Sequence, residues 1–152
     1  MKDIRYKENN YQFHYRTSAI IYNKDKTKIL LFKSSNRDFY MLPGGKVNEL
    51  ESSEDALKRE VQEETGLEIN IIDFKCFSEC VVTDKEMTYQ QVEAIYEASY
   101  NDEINNDEFN GLEGNWILFK WFNINNLDNI LIEPKGIKDI LKNNKNHIVD
   151  GF

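Results

Sequence analysis

The chain has 152 residues, 40% of them hydrophobic and 30% charged, which suits one domain with a sizeable core and is too short for two domains of usual size. No apolar run approaches the roughly 18 to 20 residues a membrane helix needs, and the first ten residues lack the apolar stretch of a secretory signal, so neither membrane insertion nor export is expected. Against 27 acidic side chains stand 19 basic ones, a net charge of -8 whose field repels nucleic-acid polymers and anionic membranes, so a small anionic substrate would need a local remedy such as a metal ion.

In chain order, residues 1–11 are a polar lead-in. Phe13 to Tyr22 alternates and then turns fully apolar, which is strand patterning, and after the turn chemistry of Asn23-Lys24-Asp25-Lys26 the run Ile29-Leu30-Leu31-Phe32 reads as a second, buried strand. The two are expected to form a hairpin at the centre of a sheet. Met41-Leu42-Pro43-Gly44-Gly45 predicts a tight, exposed loop, because Pro fixes one dihedral and glycines permit conformations closed to other residues. From Ser52 the period changes: Ser52-Ser53-Glu54-Asp55 fits a capping box, Gly66 supplies a stop, and a helix is expected over Ser53 to Thr65.

Glu68 to Val82 and Met87 to Tyr100 are two long β-rich runs expected to pair antiparallel across Thr83-Asp84-Lys85-Glu86. Cys76 and Cys80 are too few for a disulfide scaffold and make half of a structural zinc site, so they read as reduced packing residues of a cytoplasmic protein. Residues 101–115 read as an acidic, Asn-rich loop, Trp116 to Phe122 as a covered strand, and Pro134 to Asn143 as a closing helix. The domain is expected to span residues 12–144, with 145–152 a tail.

On a wheel of about 100° per residue, Glu63 and Glu64 fall within roughly 60° on either side of Glu60, forming one carboxylate face, with Leu57 and Val61 beside it able to face the core. Glu60 and Glu64 are like charges at i,i+4, unfavourable in an isolated helix, while Arg59 offers Glu63 a partner at that spacing. A solvated acidic face is the plain structural explanation. The Gly-Gly loop before the helix favours another, since carboxylates clustered near backbone carbonyls are the ligands Mg²⁺ or Mn²⁺ prefers, and such an ion would offset the repulsion of an anionic substrate.

Gly45, five residues, Glu51, seven residues, then Arg59-Glu60-Val61-Gln62-Glu63-Glu64-Thr65-Gly66-Leu67 matches every specified position of G-x5-E-x7-R-E-U-x-E-E-x-G-U, with U apolar. A chance match in a chain of this length has a probability on the order of one in a million. The segment resembles the complete box of the Nudix hydrolases, including their MutT-like members. That resemblance implies an α/β fold, an α/β/α sandwich with a mixed β-sheet. It also implies hydrolysis of a diphosphate linkage in a nucleoside diphosphate joined to another moiety X.

By the same resemblance Glu60, Glu63 and Glu64 hold the metal, Mg²⁺ or alternatively Mn²⁺, with the Gly44 carbonyl beside them, while Arg59 and Glu51 orient the carboxylates. The reaction needs phosphate charge neutralised, water acidified and a carboxylate to take its proton. Glu60, central on the wheel, is the first candidate for that base, and a carboxylate from a loop outside the box is the other. An inactive Nudix-fold module that binds nucleotide or regulates is the alternative function. Nucleoside triphosphates, nucleotide sugars, ADP-ribose and dinucleoside polyphosphates are all open as substrates, with a monomer or homodimer expected.

Outside the box the patterns are sparser. Alternation puts Tyr89, Gln91, Glu93, Ile95 and Glu97 on one face of a strand, and Glu97, ahead of Glu93, is a candidate additional metal ligand. Glu103, Asp107, Glu108 and Glu113 share the acidic loop that could supply the base. Trp116, Trp121 and Phe122 are expected in the core rather than stacked on a base. Tyr40 and Phe39 are better placed for stacking, and Arg37, Gly45 and Lys46 around the glycine loop are candidates for phosphate contact. His14 and His147 have no partner at a telling spacing.

Overall fold

The computed structural model describes residues 2–152. In chain order its elements are β1 (Arg5–Glu8), β2 (Tyr11–Tyr22), β3 (Lys28–Ser34), β4 (Gly44–Lys46), α1 (Ser53–Thr65), β5 (Asn70–Asp84), β6 (Met87–Ser99), β7 (Glu108–Gly111), β8 (Gly114–Asn123), a single 3₁₀ turn (Ile124–Asn126), α2 (Gly136–Asn143) and β9 (His147–Asp150). The strands form one mixed sheet in the order β7-β8-β3-β2-β6-β5-β9, with β1 and β4 also paired to β2. β2 runs parallel to β6 and antiparallel to β1, β3 and β4, which makes it the spine of the fold.

Strict alternation along β2 divides the core. Ala19 and Ile21 face α1 and join Leu57, Val61, Tyr96, Phe119 and Trp121, while Ile20 faces the other way and joins Ile95, Ile137 and Ile140 under α2. Helix, sheet and helix therefore stack as the three layers expected of an α/β/α sandwich. α1 has its expected bounds: the Ser52 side chain accepts a hydrogen bond from the Asp55 N–H at 3.1 Å, and Gly66 closes the helix with φ of 75°, its N–H donating to the Gln62 carbonyl.

Six expectations differ from the observed fold. The β2–β3 hairpin forms at its turn, where the Asn23 side chain accepts from the Thr27 and Lys28 N–H groups, but the strands share a single paired position, Tyr22 with Ile29. β4 takes over that edge of β2 farther along, pairing Gly44 with Ser18 and Lys46 with Arg16, and β3 turns to β8 instead. The Gly-Gly segment is thus a buried strand rather than an exposed loop. Neither glycine has positive φ; each is needed for close approach, since a methyl on Gly44 would overlap the Thr17 carbonyl and one on Gly45 the Glu60 carboxylate.

The lead-in carries β1, and the tail carries β9, which runs parallel to β5 and buries Ile148 against Gly136. Within the acidic loop, β7 pairs with β8 and stacks Phe109 on Phe119 at 5.4 Å between ring centroids. Trp121 is buried as expected and Phe122 partly so, but Trp116 is 52% exposed, its indole lying over Gly114 at the hairpin tip.

If β9 belongs to the core, Ile148→Ala should lower unfolding free energy by about 2 to 4 kcal/mol, as for other buried Ile truncations. Urea unfolding measures it; an unchanged midpoint would return residues 145–152 to the status of a tail.

Candidate active site

Residues 44–46 and α1 meet around one guanidinium. Arg59 Nε donates to Glu51 Oε1 at 2.7 Å and Nη2 donates to Glu51 Oε2 at 3.0 Å, a two-pronged contact that also fixes the loop before the helix. Nη2 reaches the Lys46 carbonyl at 3.1 Å, and Nη1 reaches Glu60 Oε1 at 2.9 Å and Glu63 Oε2 at 3.3 Å. Glu51 accepts additionally from the Asn48 N–H at 3.0 Å. One side chain thus ties β4, the connecting loop and two helix carboxylates together, and Gly45 lets the Glu60 carboxylate lie directly against the strand.

The carboxylates differ in electrostatic state. Hydrogen bonding from Arg59 holds Glu51 below its ordinary carboxyl pKa, outweighing desolvation, and Arg59 in turn is held more firmly protonated. Burial raises Glu60, against the opposing pull of Arg59, with Glu63 and Glu113 adding to the rise. Glu64 is pushed up to about 8, first by burial and then by the charge of Glu60, with Arg16 opposing. Glu63 is half exposed. Glu60 and Glu64 thus repel each other while largely shielded from water.

Glu113 separates itself from the other acids of residues 101–115. Its charge acts on both Glu60 and Glu64, and next to it the Leu112 N–H donates to the Glu64 carbonyl at 2.8 Å, pinning the β7–β8 turn to the end of α1. Asp107 is paired with Lys28 at 2.9 Å and Glu108 with Lys120 at 3.2 Å, while Glu103 lines a groove beside Tyr100 and Trp121.

Other candidates lie elsewhere. Gly44 sits beside Gly45 in β4, and the Lys46 ammonium pairs with Asp3 at 3.5 Å. The Arg37 guanidinium lies over the Phe39 ring, and Tyr40 packs edge-on against Phe122 at 4.9 Å; among the described residues, no hydrogen bond or ion pair joins either to the helix carboxylates. Glu97 lies apart from the helix carboxylates: it shares the α2 face of β6 with Ile95 and pairs with Lys75 at 3.5 Å, so the sheet stands between it and α1. Glu93, on that same face, is buried against Arg16 Nε at 3.2 Å. Arg16 went unremarked in the sequence, although alternation along β2 and a lone cation in an otherwise uncharged strand marked it out.

The NUDIX domain family model matches residues 12–143, nearly the whole chain. The chain belongs to the NUDIX domain family. Solved Nudix structures share the fold: a NUDIX hydrolase from Nitrosomonas europaea has a TM-score of 0.65 at 18% identity, over 96% of this chain and 82% of that one. A MutT NUDIX hydrolase from Burkholderia pseudomallei gives 0.58 at 24% identity, over 79% and 90%. The E. coli dihydroneopterin triphosphate pyrophosphohydrolase gives 0.57 at 20% identity, over 72% and 80%. At these identities the likeness is one of fold. No curated protein matches this chain. The enzyme class that accompanies the complete Nudix box is pyrophosphohydrolase.

The raised Glu64 pKa sets a pH dependence for the metal-free Nudix domain. A carboxyl whose folded pKa lies above its unfolded one contributes stability at low pH that is lost as pH rises from the ordinary 4.5 toward about 8. Urea unfolding without divalent metal should therefore show stability falling across that interval, and Glu64→Gln should flatten the slope. A variant that retains the full slope would show that Glu64 is not its source.

Proposed function

We propose that this Nudix domain is a Mg²⁺-dependent hydrolase, able also to use Mn²⁺, that cleaves the diphosphate linkage of a nucleoside diphosphate joined to a moiety X. The observation that carries the reading is the Arg59 hub, which gathers Glu51, Glu60 and Glu63 at the strand whose Gly45 admits the Glu60 carboxylate. The residues fit a hard divalent cation by chemistry: Glu60 and Glu64 are shielded oxygen donors whose mutual repulsion a dication would relieve. Among the described residues no three carboxylates form a coordinating group as they stand, because Glu60 and Glu63 are turned onto Arg59. Binding therefore requires those side chains to rotate away from the guanidinium.

In this reading Glu60, Glu63 and Glu64 hold the metal with the Gly44 carbonyl, and Glu51 and Arg59 position them. The metal when bound supplies neutralisation of phosphate charge and acidification of the attacking water. Glu60 takes the proton of that water once it has turned from Arg59; burial holds its pKa above the ordinary carboxyl value, which strengthens it as a base. Glu113 is the second candidate for this step, favoured over its neighbours because its charge reaches both Glu60 and Glu64. Arg37, Tyr40, Gly45 and Lys46 remain the substrate-contact proposal, with Lys46 and Gly45 nearest the hub. The free thiols of Cys76 and Cys80 suit a reducing, cytoplasmic setting.

Chromatography of the nucleotide products formed from a panel of nucleoside triphosphates, nucleotide sugars, ADP-ribose and dinucleoside polyphosphates, with and without magnesium, tests the reading. Nucleotide binding without turnover on any member would support an inactive binding module instead. Given a substrate, Glu60→Gln should lower kcat by about 10² to 10⁴ without rescue by excess magnesium. Partial rescue would make Glu60 a ligand alone, and near-normal turnover would move the base to Glu113. Arg59→Ala should weaken metal affinity or activity by about 10- to 100-fold through lost positioning of the carboxylates; full turnover at every magnesium concentration would remove Arg59 from the site.

A further inference from the structure

Among the described residues, three buried side-chain atoms find no hydrogen-bond partner: His14 Nε2, Thr17 Oγ1 and Ser18 Oγ. All three lie on β2, and Thr17 is fully buried. His14 and Ser18 share the α2 side of the strand with Ile20, whereas Thr17, in step with Ala19 and Ile21, points at α1. Its lateral neighbours on that face are Gly45 in β4 and Ala94 in β6, and Ala19 follows it along the strand; none of these carries a polar side chain. The space over Gly45 is filled instead by Glu60, whose carboxylate, Oε2 included, a methyl on that glycine would overlap. Directly paired residues hold their Cβ positions about 5 Å apart. The Thr17 hydroxyl and Glu60 Oε2 are therefore neighbours on one face, and Oε2, unlike the Oε1 held by Arg59, accepts from no protein group among the described residues. An enclosed hydroxyl without a partner is unfavourable, and valine, of nearly the same shape, would avoid the penalty in this strand.

We propose that the Thr17 hydroxyl is the donor that receives Glu60 when its carboxylate leaves Arg59 to hold a divalent cation; this rests on the metal-dependent reading above. Turning away gives up the 2.9 Å bond from Arg59 Nη1. A carboxylate has about four acceptor positions, so one oxygen can face a cation while the other accepts from a hydroxyl. A neutral donor suits that task better than the guanidinium, because it orients the carboxylate without setting a second positive charge beside the cation. Thr17 is thus a positioning residue that acts through Glu60, its own side chain restricted at χ1 by the β-branch. While Glu60 rests on Arg59 the unpaired hydroxyl opposes stability, and once Glu60 has turned the same hydroxyl favours cation binding.

Mn²⁺ titration of the whole protein without nucleotide, followed by electron paramagnetic resonance, tests this apart from turnover, and urea unfolding without divalent metal supplies a second readout. Thr17→Val should weaken Mn²⁺ affinity by about tenfold or more. Its urea midpoint should equal or exceed the native one, because the change removes an unpaired buried hydroxyl. Thr17→Ser, which keeps the donor, should stay close to native affinity, and Ser18→Ala, which deletes the unpaired hydroxyl on the opposite face, should leave affinity unchanged. In a Glu60→Ala background, Thr17→Val should add no further loss. If Thr17→Val does not fold, Thr17→Ala should show the same loss of affinity. Native affinity in the variant lacking the hydroxyl overturns the inference, as does a loss in Thr17→Ser as large as in Thr17→Val, or a loss matched by a fall in the urea midpoint, either of which makes Thr17 a packing residue. Those outcomes leave the proposed activity standing, whereas a native protein that binds no divalent cation overturns that activity and this inference together.

Discussion

The contact on which the rest of the site depends is the fork of Arg59 on Glu51. In a chain of net charge -8, gathering four glutamates within one helix turn and its entry loop requires a cation fixed among them, and a guanidinium, planar and permanently charged, can serve several carboxylates at once. Two of its nitrogens are committed to Glu51, which is itself anchored by the Asn48 N–H, so Arg59 is held before it touches Glu60 or Glu63. Its bond to the Lys46 carbonyl then sets the distance between helix and sheet. The longest of its contacts, to the half-exposed Glu63, is the one most easily exchanged for another cation.

The spine strand carries this arrangement into the wider fold. Because β2 alternates without a bulge through residues 16–21, one register places apolar odd positions under α1 and puts Arg16 and Ile20 on the α2 side. β4 can pair there only because Gly44 and Gly45 lack side chains, and its three residues leave β2 short of β3 along that stretch. The carboxylate face and the Arg16–Glu93 ion pair consequently lie on opposite faces of one strand. A slip of one residue in that pairing would exchange the two faces.

Much of this was legible in the residues. The helix and its caps followed from Ser52, the acids after it and Gly66, and the carboxylate face followed from a period of 3.6. What escaped were features set by pairing partners rather than by local pattern. The polar segments at residues 5–8 and 147–150 are strands because β2 and β5 offer them open edges, not because their own alternation demands it. The Gly-Gly segment signals a turn by composition, and only the proximity of Thr17 and Glu60 reveals that close approach is the need it meets. Glu93 and Glu97 share one face of β6, and only the packing of Ile95 under α2 reveals that this face lies across the sheet from α1.

Local rules of helix stability are broken at the same few positions of α1. The last turn carries Glu63 and Glu64 and no basic residue, although the carbonyl end of a helix disfavours negative charge. Glu60 and Glu64 repel at i,i+4, and both are partly removed from water, which raises their pKa values. The N-terminal half obeys every rule, with its Ser52 cap, its acids in the first turn and buried Ala56 and Leu57. A sequence indifferent to function would place a Lys or Arg in the last turn. Three independent penalties coincide instead on the face that meets Gly45, and coincident penalties beside a well-formed half-helix mark a place where stability yields to chemistry. A bound divalent cation would reverse the sign of all three at once, since dipole, neighbouring charges and desolvated oxygens each attract it.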